Sequence, residues 1–531
     1  MVADDAFSDD ERRALTPYFT NLDGPVFALR NLPEVVKGAL FARYSRSPKS
    51  LRRLFLDEFL DRLGPGATAA EVGVERADQL FERVFDEYGD DSVAQLGGAH
   101  LACEEASNLL TKVLEWGRLM AYLEQSTRYI PYNERRSGHW RYLVPAELAT
   151  EPLRSQYIRC LDDAFATYAR WIEPLEVHLR AAHPKEPGDS DAVYRRTIRA
   201  RALDALRGLL PAATQSNVGL FGTGQAYEAL LLRMRAHPLD EVRQYADLML
   251  TELRKVIPAF LTRVDRADRG GVWSQYLRDT RDAVDALAQR LLAGSTPAAC
   301  DEVVLVDFDP DGETKVVAAA LYAVADLPDD QLLRVARAFT PEQRREVLRT
   351  YVGERQNRRH KPGRAFERTQ YRFDVLTDYG AFRDLQRHRI LSLEWQPLSP
   401  RHGYMVSELI EATGALADWQ RVMAQSAEVY DALCVAGLSQ VAPYAVSMAY
   451  RVRFYMDLNA REAMHVIELR TAPQGHPSYR RVCQQMHRLI DEQAGHQAIA
   501  AAMSFVDHSA VELGRLQSER ASERRRRQLN E

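Results

Sequence analysis

Arg387-His388-Arg389, followed by Ser392 and then Ser399-Pro400-Arg401, sets three guanidinium forks, an imidazole and two hydroxyls within fifteen residues. Guanidinium groups stay charged at any working pH and match the oxygens of phosphate in pairs. The stretch therefore reads as a site for a phosphorylated, planar ligand. The plainer alternative is the polar end of a helix, where arginines complement the helix dipole. The returning hydroxyls and third arginine favour the ligand reading. A second stretch echoes it: Trp116-Gly117-Arg118, then Gln125-Ser126-Thr127-Arg128-Tyr129.

Asn459-Ala460-Arg461-Glu462-Ala463-Met464-His465, continuing to Leu469-Arg470, is the next concentration of chemistry. On an α-helix Asn459 and Arg470 lie three turns apart on nearly one face, with His465 between them. An ordinary amphipathic helix would show the same periodicity. Arg207, four residues before Pro211, and Arg233, in a later helical stretch, add two cations to the first half.

Helical periodicity dominates the segments that must position these residues. Apolar residues recur at threes and fours over Leu51–Leu63, Ala99–Tyr122, Leu153–Leu179, Arg195–Leu210, Tyr227–Leu261 and Arg278–Leu292. Two short strands are predicted, Val26–Leu29 and Val303–Val306. Each opens onto a helix, over Val35–Ala42 and Val316–Ala323. The same order of features recurs across the chain: Val93-Ala94-Gln95 before Trp116 matches Ala365-Phe366-Glu367 before Arg387. Leu209-Leu210-Pro211 likewise matches Val441-Ala442-Pro443. The reading is an α+β, predominantly helical chain of two tandem domains, each a small sheet with long helices. The domains span residues 18–265 and 301–515. A bridging helix and linker (266–300, with Gly294-Ser295-Thr296-Pro297) joins them, and 516–531 forms a basic tail with Arg524–Arg527 as a solvated end.

Composition removes several classes. A chain of 531 residues, 46% hydrophobic and 27% charged, has core enough for at least two domains. Net charge of −5 argues against a nucleic-acid-coating surface. The five cysteines are scattered without a CxxC pair, as expected in a reducing cytoplasm. Neither a secretory signal nor an apolar run of about 18 residues is visible. His139, His178, His183 and His237 are isolated, no Cys/His spacing points to a metal, and no GxGxxG opens a helix after a strand.

With these residues in view, the chain resembles the flavin-dependent thymidylate synthases. RHR followed by a serine and arginine at Ser399 and Arg401 is similar to that family's first signature. The Asn459-Ala460-Arg461-Glu462 helix ending at Arg470 is similar to its second. In the first half Arg118, seven residues, then Ser126-Thr127-Arg128-Tyr129 keeps the spacing and the Ser-x-Arg-Tyr ending. Departures are equally specific. Gly222 and Glu228 stand where the family has flavin-facing residues, and Asp384 replaces a glutamine used on the pyrimidine. Ser439 replaces a nucleotide-binding arginine, and the segment Leu393–Leu398 lengthens the first signature by two residues. The first half keeps more of the nucleotide-binding set and the second more of the flavin-binding set.

The resemblance implies methylation of dUMP to dTMP, with methylenetetrahydrofolate as carbon donor, reduced FAD as hydride donor and NADPH as co-substrate. It implies FAD held by Arg387, His388, Arg389, Asn459 and His465. It implies nucleotide held by Arg118, Gln125, Ser126, Arg128, Arg207, Ser399 and Arg401, with Arg470 and Arg233 as the catalytic arginines. Family members are homotetramers, so a tandem chain implies a homodimer forming a pseudo-tetramer, in the cytoplasm. Two other readings stay open: a flavoenzyme of this fold acting on another pyrimidine nucleotide, and a non-catalytic nucleotide-binding or structural tandem.

Overall fold

The structure, a computed structural model, describes residues 7–44, 47–60, 95–149, 151–187 and 189–509. Val93-Ala94, the end of the Leu51–Leu63 helix and the basic tail lie outside the described residues. Along the chain the main elements are α1 (Glu34–Tyr44), β1 (Gly98–Ser107), α2 (Asn108–Leu114), β2 (Met120–Glu124), α3 (Leu153–Ala182) and α4 (Asp191–Leu206). There follow β3 (Gln215–Thr223), α5 (Gly224–Arg235), α6 (Asp240–Leu253), α7 (Val272–Leu291), β4 (Val303–Phe308) and α8 (Gly312–Tyr322). The remainder holds β5 (Gln370–Asp378), α9 (Tyr379–Leu385), β6 (Ser392–Trp395), α10 (Leu416–Val435), β7 (Arg451–Asn459), α11 (Ala460–Arg470), α12 (Pro477–Glu492) and α13 (Gln497–Ala502). The fold class is α+β, with two small sheets among many helices.

The elements sort into two compact units that interleave along the sequence. One holds residues 1–106, 113–124 and 216–295; the other holds 107–112, 125–215 and 296–531. In the first unit β1, β3 and β2 form a sheet in that order, with β2 antiparallel to β3 and Met120 opposite Gly222. Leu230, Leu231 and Val242 from α5 and α6 are buried. The second unit carries an antiparallel sheet in the order β4-β5-β7-β6. Its central pair, β5 and β7, runs in register over nine residues, from Gln370 opposite Asn459 to Asp378 opposite Arg451. Burial alternates along both strands, so Tyr371, Phe373 and Val375 share the core face with Phe454, Met456 and Leu458.

Two strand-to-helix junctions in this sheet fix where the helices that carry Asp384 and Arg470 begin. Asp378 ends β5 and caps α9, its carboxylate accepting from Ala381 N at 2.9 Å. Asn459 ends β7 and caps α11, its side chain accepting from Glu462 N at 2.9 Å. The register places the two junctions at opposite ends of the sheet. The same order of strand, short helix, arginine-bearing turn and strand, then strand into helix, recurs as β1-α2-β2 and β3-α5.

Three sequence expectations need correction. Ala99–Tyr122 is not one helix but β1, α2 and β2. Pairing in the sheet overrides the weak strand propensity of its Ala, Cys and Glu residues. Helix α2 starts only at Asn108, with the Ser107 hydroxyl accepting from Leu110 N. Val26–Leu29 is extended chain with a single bridge, Phe19 to Leu29, rather than a strand. Tyr227–Leu261 breaks into α5 and α6 around Pro238, whose ring and missing N–H stop a helix. Among the described residues no helix is long and apolar enough to cross a membrane.

One buried ion pair fastens the edge of the second unit. Arg355 donates to both carboxylate oxygens of Glu468 on α11, at 2.7 and 2.6 Å, with both side chains at most 3% exposed. The same guanidinium donates to the carbonyls of Ala502 and His360, tying α13 and the 353–362 loop to α11. Replacing Glu468 with alanine leaves that cation buried without a counter-charge, held by the two carbonyls. The variant should lose about 3–5 kcal/mol of unfolding free energy in denaturant titration. A loss below about 1 kcal/mol would show that the pair does not hold the loop.

Candidate functional site

Arginines from distant parts of the sequence converge in the second unit. Arg128 donates from Nε to Asp204 on α4 at 2.9 Å, with Nη2 2.7 Å from the same oxygen, and also reaches the Gln474 carbonyl at 3.2 Å. Arg207, one turn beyond Asp204, is 4% exposed and donates to Asp384 near the end of α9 at 3.5 Å. Arg470, the last residue of α11, donates to the Asp384 carbonyl and lies 3.6 Å from its carboxylate. A cation at the ends of both helices meets the negative ends of two helix dipoles. The ring of Tyr479 sits 5.3 Å from the Arg470 guanidinium carbon.

The Arg207 guanidinium reaches this position because residue 380 is glycine. A Cβ there would lie 3.0 Å from Arg207 Nε and 3.2 Å from Nη2. Nη2 is fully buried and has no hydrogen-bond partner among the described residues. A pocket of about 310 Å³ borders this wall, lined by Arg201, Asp204, Arg207, His476, Ser478 and Arg480 among others.

Electrostatics bind the cluster together. Burial opposes the charge on Asp384, but Arg207, Arg470, Arg387 and Arg128 overcome it and hold the carboxyl well below the usual range. Burial likewise opposes ionisation of Asp204, and the charges of Arg128 and Arg207 outweigh it to lower its pKa. His476, partly buried beside Arg207, is kept neutral by burial first and then by that arginine's charge. Four guanidiniums therefore face two fixed carboxylates, an excess of positive charge suited to a phosphate dianion.

A second group lies on the other side of Arg470. His388 Nε2 accepts from Arg470 Nε at 3.0 Å, and Nδ1 lies 3.5 Å from Glu462 Oε1. The His465 ring stands edge-on to His388 at 5.4 Å. His388, Glu462 and His465 present one ligand atom each, all within 4.8 Å of one another, a grouping that sequence spacing had not indicated. Their surroundings are strongly cationic. Burial first, and then Lys361, Arg358, Arg470 and Arg461, push the pKa of His465 down to about 4. Glu462 is raised to about 7 by burial, against the pull of Lys361, Arg461 and Arg389. So many fixed cations around one carboxylate disfavour a metal dication and favour a polyanion.

Of the residues singled out from sequence, Arg128, Arg207, Arg387, His388, Arg470, His465 and Asn459 fall in or beside these two groups. Arg389 adds its charge next to Glu462. Ser126 shapes the turn that carries Arg128, its hydroxyl accepting from Arg128 N at 3.3 Å, and Gln125 is half-buried just before it. Ser399 and Arg401 sit on a 3-10 turn, where Arg401 is exposed and acts on Tyr430 of α10 and on His402. Of the segment Leu393–Leu398, Leu393–Trp395 belong to strand β6.

The first copy of the pattern is built differently, within the first unit. Arg233 on α5 lies 5.4 Å from the ring of Trp116, and Arg118 is exposed. Glu228 is taken up by Arg263 through two hydrogen bonds, at 3.1 and 2.8 Å. In place of a histidine hydrogen-bonded to an arginine, this copy has an indole face on an arginine and a closed ion pair.

Asp204, Glu462, His476, Tyr479, Lys361 and Arg358 were missed from sequence. Asp204 and Arg207 at i,i+3 read as an ordinary helix-surface pair. Only His476-Pro477, a cap followed by proline at the first helical position, carried a local signal.

Burial of Glu462 has a cost with a definite sign. Its pKa is raised from 4.5 to about 7, so the folded chain binds a proton there that the unfolded chain lacks between those values. Folding is therefore penalised as pH rises through that window, by on the order of 3 kcal/mol when complete. The stability gain from Glu462→Gln should be larger at pH 8 than at pH 5.5 in urea titrations. An equal gain at both pH values would contradict a perturbed Glu462.

Likeness to known proteins comes from three directions. The family model described as thymidylate synthase complementing protein matches residues 40–259 and again 304–494. The UPF0159 protein of Chlamydia muridarum is 38% identical over 520 residues, covering 97% of this chain and 98% of that protein. A UPF0159 protein of Thermoplasma acidophilum is 31% identical over 91% of this chain and 97% of its own length. The flavin-dependent thymidylate synthase of Clostridium tetani is 23% identical over 199 residues, 37% of this chain and 74% of that enzyme. A crystal structure of a UMP/dUMP methylase from Streptomyces cacaoi, bound to 5-bromo-dUMP, covers 38% of this chain and 94% of its own, at 21% identity. Its TM-score of 0.29 is too low for its site to be compared with this one.

Proposed function

The chain belongs to the thymidylate synthase complementing protein family, and on that premise we propose that it methylates dUMP to dTMP in a flavin-dependent reaction. Methylenetetrahydrofolate would give the carbon and NADPH would reduce the flavin. The observation that carries this reading is the convergence of Arg128, Arg207, Arg387 and Arg470 on Asp384. Arg128 and Arg207 come from the first stretch matched to the family, and Arg387 and Arg470 from the second. One site thus draws on both.

The residues present fit FAD. Arg358, Lys361, Arg389 and Arg461 surround His465 and Glu462 with positive charge, which matches a diphosphate. Arg387, His388, Arg389, Asn459 and His465 would hold the cofactor, and reduced FAD would supply the hydride. Arg128 and Arg207 would grip the nucleotide phosphate, for which Arg207 Nη2 is a buried donor in waiting. Arg470 would stabilise negative charge developing on the pyrimidine, oriented by His388 and Asp384 before the substrate arrives. Trp116 against Arg233 and the Glu228–Arg263 pair support one working site per chain rather than two. The protein would work in the cytoplasm as a homodimer whose four family-like halves stand in for a tetramer.

Asp384 favours one second reading. Held ionised, it only accepts hydrogen bonds, whereas an amide accepts and donates. A pyrimidine other than uracil, with an amino group on its edge, would suit it better. A panel of pyrimidine nucleotides separates the two readings: turnover confined to dUMP excludes the second.

The decisive experiment is the visible spectrum of the purified protein after FAD is added and the excess removed. The protein should retain flavin and turn over dUMP, and Arg387→Ala with Arg389→Ala should abolish retention. Arg470→Ala should keep the flavin yet lower turnover by about 100-fold or more. Loss of neither flavin nor turnover in these variants would overturn the assignment. Absence of any flavin binding in the parent protein would leave the non-catalytic tandem as the better account.

A further inference from the structure

We propose that Glu462 is a positioning residue that acts through His388 to orient Arg470. This rests on the reading of Arg470 as the residue that meets the pyrimidine. The three side chains form a line: Glu462 Oε1 lies 3.5 Å from His388 Nδ1, and His388 Nε2 lies 3.0 Å from Arg470 Nε. Both ends of the line belong to α11, eight residues apart, and the imidazole bridges them from the turn after α9.

The protonation pattern follows from donor and acceptor rules. Arg470 Nε always carries its hydrogen, so the facing His388 Nε2 must be the bare, accepting nitrogen. The proton of the neutral ring is then on Nδ1, facing Glu462. Burial, then the charge of Arg470, hold His388 well below its ordinary pKa, so it does not escape by becoming a cation. The other tautomer would set two N–H groups against each other at Arg470. Ionised Glu462, as an acceptor beside Nδ1, selects the tautomer that leaves Nε2 free.

Protonation of Glu462 would remove that selection, because a neutral carboxyl can donate to Nδ1 and drive the hydrogen to Nε2. The groups that set where this happens are Lys361, Arg461 and Arg389 around Glu462. His465 and Arg470 from α11, and Asp384 from α9, act with Lys361 on His388. Arg358 acts with Lys361 on His465. The three cations around Glu462 lower its pKa, while burial raises it into the neutral range. Arg470 should therefore be held firmly above about pH 7 and released progressively below it.

The test has two parts, one independent of any ligand. In protein labelled with [15N]histidine, the His388 imidazole resonances are identified by their loss in His388→Gln. At pH 8 they should report a neutral ring protonated on Nδ1, and below pH 6.5 they should shift toward the Nε2-protonated form. Glu462→Gln should abolish that pH-dependent shift. An Nε2-protonated ring at pH 8, or an unchanged pH response in Glu462→Gln, overturns the proposal. The second part is dUMP affinity by calorimetry between pH 6 and 8.5. Parent protein should weaken five-fold or more toward pH 6, and Glu462→Gln should show a flat profile. Parallel profiles in the two proteins also overturn it. Should dUMP fail to bind at any pH, the function assigned to the site is wrong, and the imidazole spectra alone decide whether the relay exists.

Discussion

Everything in the candidate site depends on one carboxylate, Asp384, placed where four guanidiniums would otherwise repel one another. Charges a few ångströms apart inside a protein interact far more strongly than in water. Arg207 is almost wholly enclosed, and Arg470 nearly so. Without Asp384 neither would stay at the meeting point of α9 and α11. The sheet supplies the geometry: the nine-residue register of β5 on β7 starts the two helices at opposite ends, and Arg470 donates to the Asp384 backbone. Asp384 thus neutralises charge with its carboxylate and closes a helix end with its carbonyl.

The site also retains features that folding alone would remove. Glu462 is buried beside histidines and cations although its ionisation disfavours the folded state. Arg207 keeps a buried donor without a partner among the described residues. Polar groups left in this condition cost stability and are concentrated where ligands or chemistry need them. The first unit shows the relaxed counterpart. There an indole lies against Arg233, and Glu228 has found Arg263, so the carboxylate at the corresponding place is satisfied internally.

The sequence was legible where a local rule determines the outcome. Asn459 caps α11 and Arg470 ends it, as their spacing and types require. The Arg387-His388-Arg389 turn follows a helix end, and Gly294–Pro297 is exposed chain outside any helix or strand. It was illegible where tertiary pairing wins: β1 has the apolar spacing of a helix but is recruited by β3. The partners of the arginines were hidden for another reason. Asp204 pairs with Arg128 across 76 residues and Asp384 with Arg207 across 177, separations no local pattern encodes. Glu462 stood in plain view within the α11 motif, yet its burial, and therefore its chemistry, is set by residues 361, 388 and 389.

Drawing Arg128 and Arg207 from one family-matched stretch, and Arg387 and Arg470 from the other, has a consequence for concentration. Where identical subunits share a site, dilution takes it apart, and a defective subunit can poison its neighbours. Here these four arginines are delivered by a single polypeptide at a fixed one-to-one ratio, with an effective concentration set by chain connectivity. Their assembly is indifferent to expression level. A lesion in one half cannot be rescued within that chain by an intact copy of the same half.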